Sequence, residues 1–270
     1  MWQTVSAPVQ IVGMSLLCPS GHNEKAVGGE IKPGDVPNFS PKTMIPDRKN
    51  IKLMTHAVQL GVATIAEAVS QVPHWNSIPP ERRGMYVGAS PQVGKHEDLY
   101  DAIEIAYQDG KFSLSEFGSK GIPLIHPLWL VRGLSNNVLG FSSAHHDIQG
   151  HNMSYAMGED GGWNAIVEGI QALCDGRVDI VVVGGSDDLL MANAIVQNAQ
   201  NSARKNGETI SIGSAGAAFF VLQRAELEQN TDSYLLLDKK QLEDSVKEYG
   251  LLGASAIPVA LALQEFSKRI

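Results

Sequence analysis

The residues best placed to do chemistry stand together in Met153-Ser154-Tyr155-Ala156-Met157-Gly158-Glu159-Asp160-Gly161-Gly162. The first five read as a short apolar strand, buried by its composition, and the glycines after it as a sharp turn. Trp163, Ile166, Ile170 and Leu173, spaced three, four and three, read as the buried face of a helix. A side chain at such a turn sits at a helix N-terminus, where unsatisfied N–H groups and the macrodipole favour negative charge. Cysteine or serine there would be an activated nucleophile. Glu159 and Asp160 occupy the spot instead, and a carboxylate is a good cap but a poor acyl acceptor. Two readings follow: both acids cap the helix, or one of them serves as a general base.

Other reactive residues form no motif. His145-His146-Asp147 are adjacent on one short segment, so their side chains point in different directions, and no third ligand stands nearby. They read as surface or interface polarity, and no metal site is expected. His22, His74 and His96 fall in loop-like stretches. Cys18 and Cys174 are too far apart to read as a zinc pair, and Cys174, on the expected helix, reads as a small core residue. No G-x-G-x-x-G follows a strand, so a dinucleotide is not expected, and no other cofactor is called for. Val183-Gly184-Gly185-Ser186-Asp187-Asp188 reads only as a strand end.

The elements that must hold the turn alternate between strand and helix. Val9 to Gly13 reads as a short buried strand followed by a Pro- and Gly-rich loop to about Asp47. Val58, Val62, Ile65, Val69 and Val72 mark one face of a helix that Pro73 ends. Gly84 to Gly88 reads as a strand and Asp98 to Tyr107 as a helix. Ile180 to Val183, before Gly184-Gly185, has the β-branched composition of a central strand buried on both faces. With the strand at Met153 and its helix, this run makes a βαβ unit with an expected right-handed crossover. Gly216 to Leu222 and Tyr234 to Leu237 supply two more strands, and Leu251 to Phe266 a closing helix interrupted near Pro258.

Composition limits the partners. The 270 residues suffice for a core without metals or disulfides. Lys+Arg at 21 against Asp+Glu at 29 gives a formal charge of −8, which argues against nucleic acid and anionic membrane. The start of the chain lacks a signal peptide's charged n-region, and Leu251 to Leu263 is too short to span a bilayer. With two cysteines only, a soluble protein of the reducing cytoplasm is expected. Charged residues at 19%, below the usual ~25%, suggest a surface partly covered by a partner.

The series Gly150-His151-Asn152 through Gly158-Glu159, then Ala165-Ile166, Gly176, Asp179-Ile180 and Gly184-Gly185, resembles the nucleophile region of the β-ketoacyl synthases of the thiolase fold. Ile11-Val12-Gly13 with Pro19 and Gly21, Gln59 to Ala68, Arg83-Gly84 to Gly88, Pro127 to Asn136, Gly140 and Ser214 to Leu222 match in order. The resemblance implies an α/β thiolase-like fold with a complete N-terminal half, residues 1–225, and a strongly reduced second half, residues 226–270. Glu159 stands where the family has its acyl-accepting Cys. No His follows His151, and in Tyr249-Gly250-Leu251-Leu252-Gly253-Ala254-Ser255-Ala256 the glycine at 250 stands where a family histidine would be. The Gly-rich segment that completes the family's oxyanion hole is missing as well.

What the resemblance implies is therefore a noncatalytic subunit without catalytic residues of its own, similar to chain length factors and most to the reduced ones of bacterial aryl polyene pathways. Such a subunit forms a heterodimer with a full-length ketosynthase and meets an acyl carrier protein through that complex. In the resembled fold the strand at Met153, Ser154, Tyr155, Ala156 and Met157 pairs with the partner's copy, and Trp163 adds apolar area beside it. Trp129 matches a position whose side chain reaches the partner's acyl pocket, although a Trp between prolines also fills its own subunit's core in many proteins. The chain length factors commonly carry Gln at the Cys position, so Glu159 departs from them, and a carboxylate cannot donate an amide hydrogen bond to a thioester carbonyl. The competing reading is an independent acyl-thioester enzyme using Glu159 or Asp160 as general base.

Overall fold

A computed structural model describes residues 3–29, 34–89, 96–190, 214–225, 235–248 and 253–270. The chain forms two compact units, one made of residues 1–91 and 135–270 and the other of residues 92–134. Described residues on both sides of 225/226 belong to the larger unit. Tyr249 to Leu252, including Gly250, lie outside the described residues.

The larger unit is built on a six-stranded sheet in the order β3 (Gly21–His22), β2 (Val9–Cys18), β9 (Ala215–Arg224), β8 (Ile180–Asp188), β4 (Arg83–Ala89), β7 (Asn152–Tyr155). β4 pairs in parallel with both β7 and β8, whereas β9 runs antiparallel to β8 and β2. Strand β1 (Thr4–Ala7) forms a separate antiparallel pair with β10 (Leu235–Asp238). The expected βαβ unit is present, and its crossover passes over β4, because β7 and β8 flank that strand rather than each other.

The sheet is covered on both faces. Helix α1 (His56–Ser70) packs on one face, while α5 (Glu159–Cys174) and α7 (Ala256–Ser267) pack on the other. Alternation along the central strands shows why. Val181 and Val183 join Trp163, Ile166 and Leu261, while Ile180 and Val182 join Ile65, Leu60 and Val138. In β9, Phe220 and Leu222 face the first group, and Phe219 and Val221 face the second. A strand whose two faces are both apolar is the requirement for a central position in a doubly covered sheet.

Several expectations from the sequence change. β2 does not stop at Gly13: it continues to Cys18 through a register shift between Ile11 and Gly13, and Met14, Leu16 and Leu17 in its second half are buried. Gly13 marks a close approach, since a Cβ there would collide with the carbonyl of Ala68 on α1. Pro258 does not interrupt the last helix, because it lies in the first turn of α7, where its missing N–H has no helical acceptor to lose. Cys174 is no core residue. It is the last residue of α5 and exposed, whereas Cys18 is buried at the end of β2, where burial pushes its thiol pKa up.

The smaller unit holds α2 (Tyr100–Ala106), a hairpin of β5 (Tyr107–Gln108) with β6 (Lys111–Phe112), three short helical turns between Leu114 and Leu124, and α3 (Trp129–Arg132). Asp109 and Gly110 both have positive φ, 48° and 76°, as a tight two-residue hairpin turn requires.

Candidate functional site

The turn before Glu159 is made by one residue. Gly158 has φ 60° and ψ −134°, a conformation essentially restricted to glycine, and α5 begins at the next residue. Glu159 is therefore presented, exposed, at the first position of a helix. Gly161 and Gly162 are not part of the turn, as the sequence suggested, but lie in the first turn of α5 as contact points. A Cβ on Gly161 would come 2.8 Å from the carbonyl oxygen of Tyr155, and one on Gly162 would be 2.6 Å from the Pro258 ring and would overlap the Ala254 carbonyl. A Cβ on Gly88 would be 2.5 Å from the Gly162 nitrogen. The N-terminus of α5 is thus clamped between the end of β4 and the start of α7, with Trp163 fully buried just behind it.

Trp163 faces its own core, packed in the cluster of Ile166, Val183, Phe220 and Leu261. It cannot add area to an outer face, so its assignment to the interface is corrected: helical phase turns it inward, away from the β7 edge.

Asp160 is engaged with a cation. Its Oδ1 lies 2.8 Å from the Nζ of Lys239, the first residue of α6 (Lys239–Glu248), whose side chain is only 8% exposed and also stands 3.4 Å from Glu243. The Asp160 hydrogen bond, outweighing burial, raises the Lys239 pKa and keeps it an ammonium. A carboxylate bound in this way is a structural tie between α5 and α6, which leaves Glu159 as the exposed carboxylate of the pair.

Two further carboxylates at the end of β8 escaped the sequence reading. Asp187, buried, accepts hydrogen bonds from the backbone N–H groups of Ala254 and, at 3.2 Å, Ser255, and so holds the start of α7. Gly253, at φ 79°, passes close over that carboxylate. Asp188 accepts from the Leu190 N–H at 3.0 Å and faces His56. The run Asp187-Asp188 after the apolar Ile180 to Gly185 was the available signal, because carboxylates are rarely buried without a donor to meet.

β7 is an edge strand, not a buried one. Met153 is 51% and Met157 53% exposed, Asn152 and Ala156 are exposed, and Ser154 and Tyr155 are half-buried. The Met85 N–H donates to the His151 carbonyl, 3.1 Å, and Met85 is the register partner of Asn152. In a parallel ladder that phase points the N–H and C=O of Met153 toward β4 and those of Asn152 and Ser154 outward. Burial pushes the Tyr155 phenol up to about 12, so it stays neutral.

Trp129 is half-buried at the start of α3, outside both apolar clusters, with its backbone N–H donating to the His126 carbonyl at 2.8 Å. Among the described residues its unit exposes eleven large apolar side chains, Tyr100, Ile103, Leu114 and Leu130 included. His145 and His146 end α4 (Asn137–His146). The His146 ring packs edge-on to Trp75, and burial, with the charges of His145 and Arg83 nearby, lowers its pKa to about 4. A neutral imidazole held in this way is part of the packing under α4.

Neither the family models nor the curated proteins give a match to this sequence. Solved structures do. A type II PKS ketosynthase bound to a hexaketide, in complex with its acyl-carrier protein, matches with a TM-score of 0.67 at 19% identity over 80% of this chain and 62% of that one. The ishigamide ketosynthase/chain length factor matches with 0.58 at 17% identity over 83% and 64%. A β-ketoacyl synthase from Burkholderia phymatum matches with 0.60 at 15% over 81% and 59%. The chain has the thiolase-like fold of these ketosynthases and spans about three fifths of their length. No helix among the described residues is long and apolar enough to cross a membrane.

Proposed function

We propose that this chain is a noncatalytic partner of an active ketosynthase, shaping the pocket in which a type II polyketide-like acyl chain is extended. The observation that carries the reading is Glu159: Gly158 makes a tight turn in a glycine-only conformation and the helix starts directly behind it, yet the side chain presented there is a carboxylate. An ionised carboxylate is a weak acyl acceptor and repels a thioester oxyanion, so a tight turn that presents a carboxylate and no thiol suits a structural role better than acyl transfer. The open edge of β7 supports the pairing. Asn152 and Ser154 offer four backbone groups to a strand from outside, flanked by exposed Met153 and Met157, and such an edge is a hazard unless something covers it. In this reading Trp129 borders the acyl pocket, and the carrier protein meets the complex rather than this chain alone. The same features suit the reduced chain-length-factor-like subunits of aryl polyene pathways.

The competing reading, a general base at Glu159 or Asp160, is weakened by the Lys239 contact that engages Asp160. The test is malonyl-dependent elongation by the purified chain, its Glu159→Cys variant and the chain co-expressed with candidate ketosynthases. Only the co-expressed complex should elongate. Elongation by the chain alone, native or E159C, would overturn the assignment.

A further inference from the structure

His56 stands where a positive charge is least welcome, at the first position of α1, with the helix N–H groups behind it. Two carboxylates nevertheless converge on its ring. Asp188, at the end of β8, places Oδ2 3.1 Å from Nδ1, and Asp35 places Oδ1 3.4 Å from Nε2. Phe39 lies edge-on to the ring at 5.8 Å between centroids. Among the described residues these are the charged groups that face the imidazole from the packed elements, and the first turn of α1 contributes no acidic residue of its own.

The geometry favours the protonated ring. A neutral imidazole has one N–H, which the Asp188 hydrogen bond occupies, so Asp35, an ion-pair contact at 3.4 Å rather than a hydrogen bond, is attracted to the ring only when the ring carries charge. Burial alone would lower the His56 pKa, but the Asp188 hydrogen bond and the charges of Asp35 and Asp188 outweigh it and raise the value above 6.5. The bridged segments have other ties: the Gly34 carbonyl accepts from the Ala215 N–H at 3.1 Å, at the start of β9, and Asp35 accepts from the Val36 N–H at 2.7 Å.

We propose that His56 is a pH-sensitive staple that, as imidazolium, fastens segment 34–36 to the end of β8 and the start of α1, and on losing its proton releases Asp35 while keeping Asp188. Asp35 is the one released because its side chain is 61% exposed and water can solvate it, whereas that of Asp188 is 11% exposed and would be left without solvent. The stability contributed by the bridge is fully present below the ordinary imidazole pKa and is lost as pH rises through the higher folded value.

Hydrogen–deuterium exchange read by mass spectrometry tests this on the full chain, in whatever assembly it is purified, between pH 5.5 and 8.5. Exchange at the His56 ring carbon gives its titration, and exchange of peptides covering 34–39 and 214–220, corrected for intrinsic rate, gives protection of the stapled backbone. His56 should titrate above 6.5, and protection should fall roughly three- to tenfold through the same pH range, as expected for a charged but half-solvated contact. Asp35→Asn should lower the His56 titration point and flatten the step, because an amide can accept from or donate to Nε2. His56→Gln should show low protection at every pH. A His56 titration at or below 6.5, or a protection step that persists in either variant, would overturn the proposal.

Discussion

A proline at position 154 separates folding from assembly. The Ser154 N–H points away from β4, so Ser154→Pro removes no hydrogen bond from the sheet, and the preceding residue is already extended, as proline demands. The substitution also removes the Ser154 hydroxyl, whose donation to the Ser135 carbonyl at 3.5 Å is at the limit of a hydrogen bond. Stability of the chain should therefore change by less than about 1 kcal/mol. Pairing should suffer far more. One inter-strand bond of about 0.5–1.5 kcal/mol disappears and the partner's acceptor is left buried without a donor, a further ~1–3 kcal/mol. A loss of about 2–4 kcal/mol corresponds to roughly 30- to 1,000-fold in Kd. Met153→Pro has the opposite character, because its N–H enters the ladder with β4 and its loss orphans the carbonyl of fully buried Met85, costing the fold about 2–4 kcal/mol. The assay is co-purification with a tagged ketosynthase together with soluble yield of the chain expressed alone. Native chain alone should aggregate, and S154P should be more soluble alone yet fail to co-purify, since proline blocks edge pairing of either kind. An S154P chain that co-purifies at the native ratio would refute the assignment of this edge to the partner.

Two further outcomes follow from particular contacts. Trp129→Ala should leave the complex assembled, shift products to longer chains and cost at most about 2 kcal/mol, because the ring is half-buried rather than fully enclosed; an unchanged product distribution from an intact complex would remove Trp129 from the pocket. Gly162→Ala should lower the urea midpoint by the equivalent of about 2 kcal/mol or more, since the gain in helix propensity, up to ~1 kcal/mol, is outweighed by overlap with the backbone of Ala254 and the Pro258 ring, at ~3 kcal/mol; a stabilised variant would contradict the close approach of α5 and α7.

Local pattern settled much of this protein. The i, i+3, i+4 spacing of Val58 to Val72 and of Trp163 to Leu173, the β-branched run at Ile180, and the Gly158-Glu159 junction each depend on neighbours within a few residues, and each is found in the structure where the sequence puts it. Glu159 at the presented position is likewise a fact of sequence, because identity alone rules out a thiol there. Even the missed hairpin was legible in Asp109-Gly110, whose positive φ values are a local demand.

Tertiary structure alone decided the rest, since those features join residues far apart in the chain. That Asp160 meets Lys239, that Asp187 holds the start of α7, and that His56 lies between Asp35 and Asp188 are contacts across 79, 67, 21 and 132 positions. No periodicity encodes such pairs; the sheet order brings them together. The outward edge at Asn152 and Ser154 likewise follows from which strands flank β4. An apolar run can form a central strand or an edge strand with the same composition, and only the number of its paired neighbours distinguishes the two.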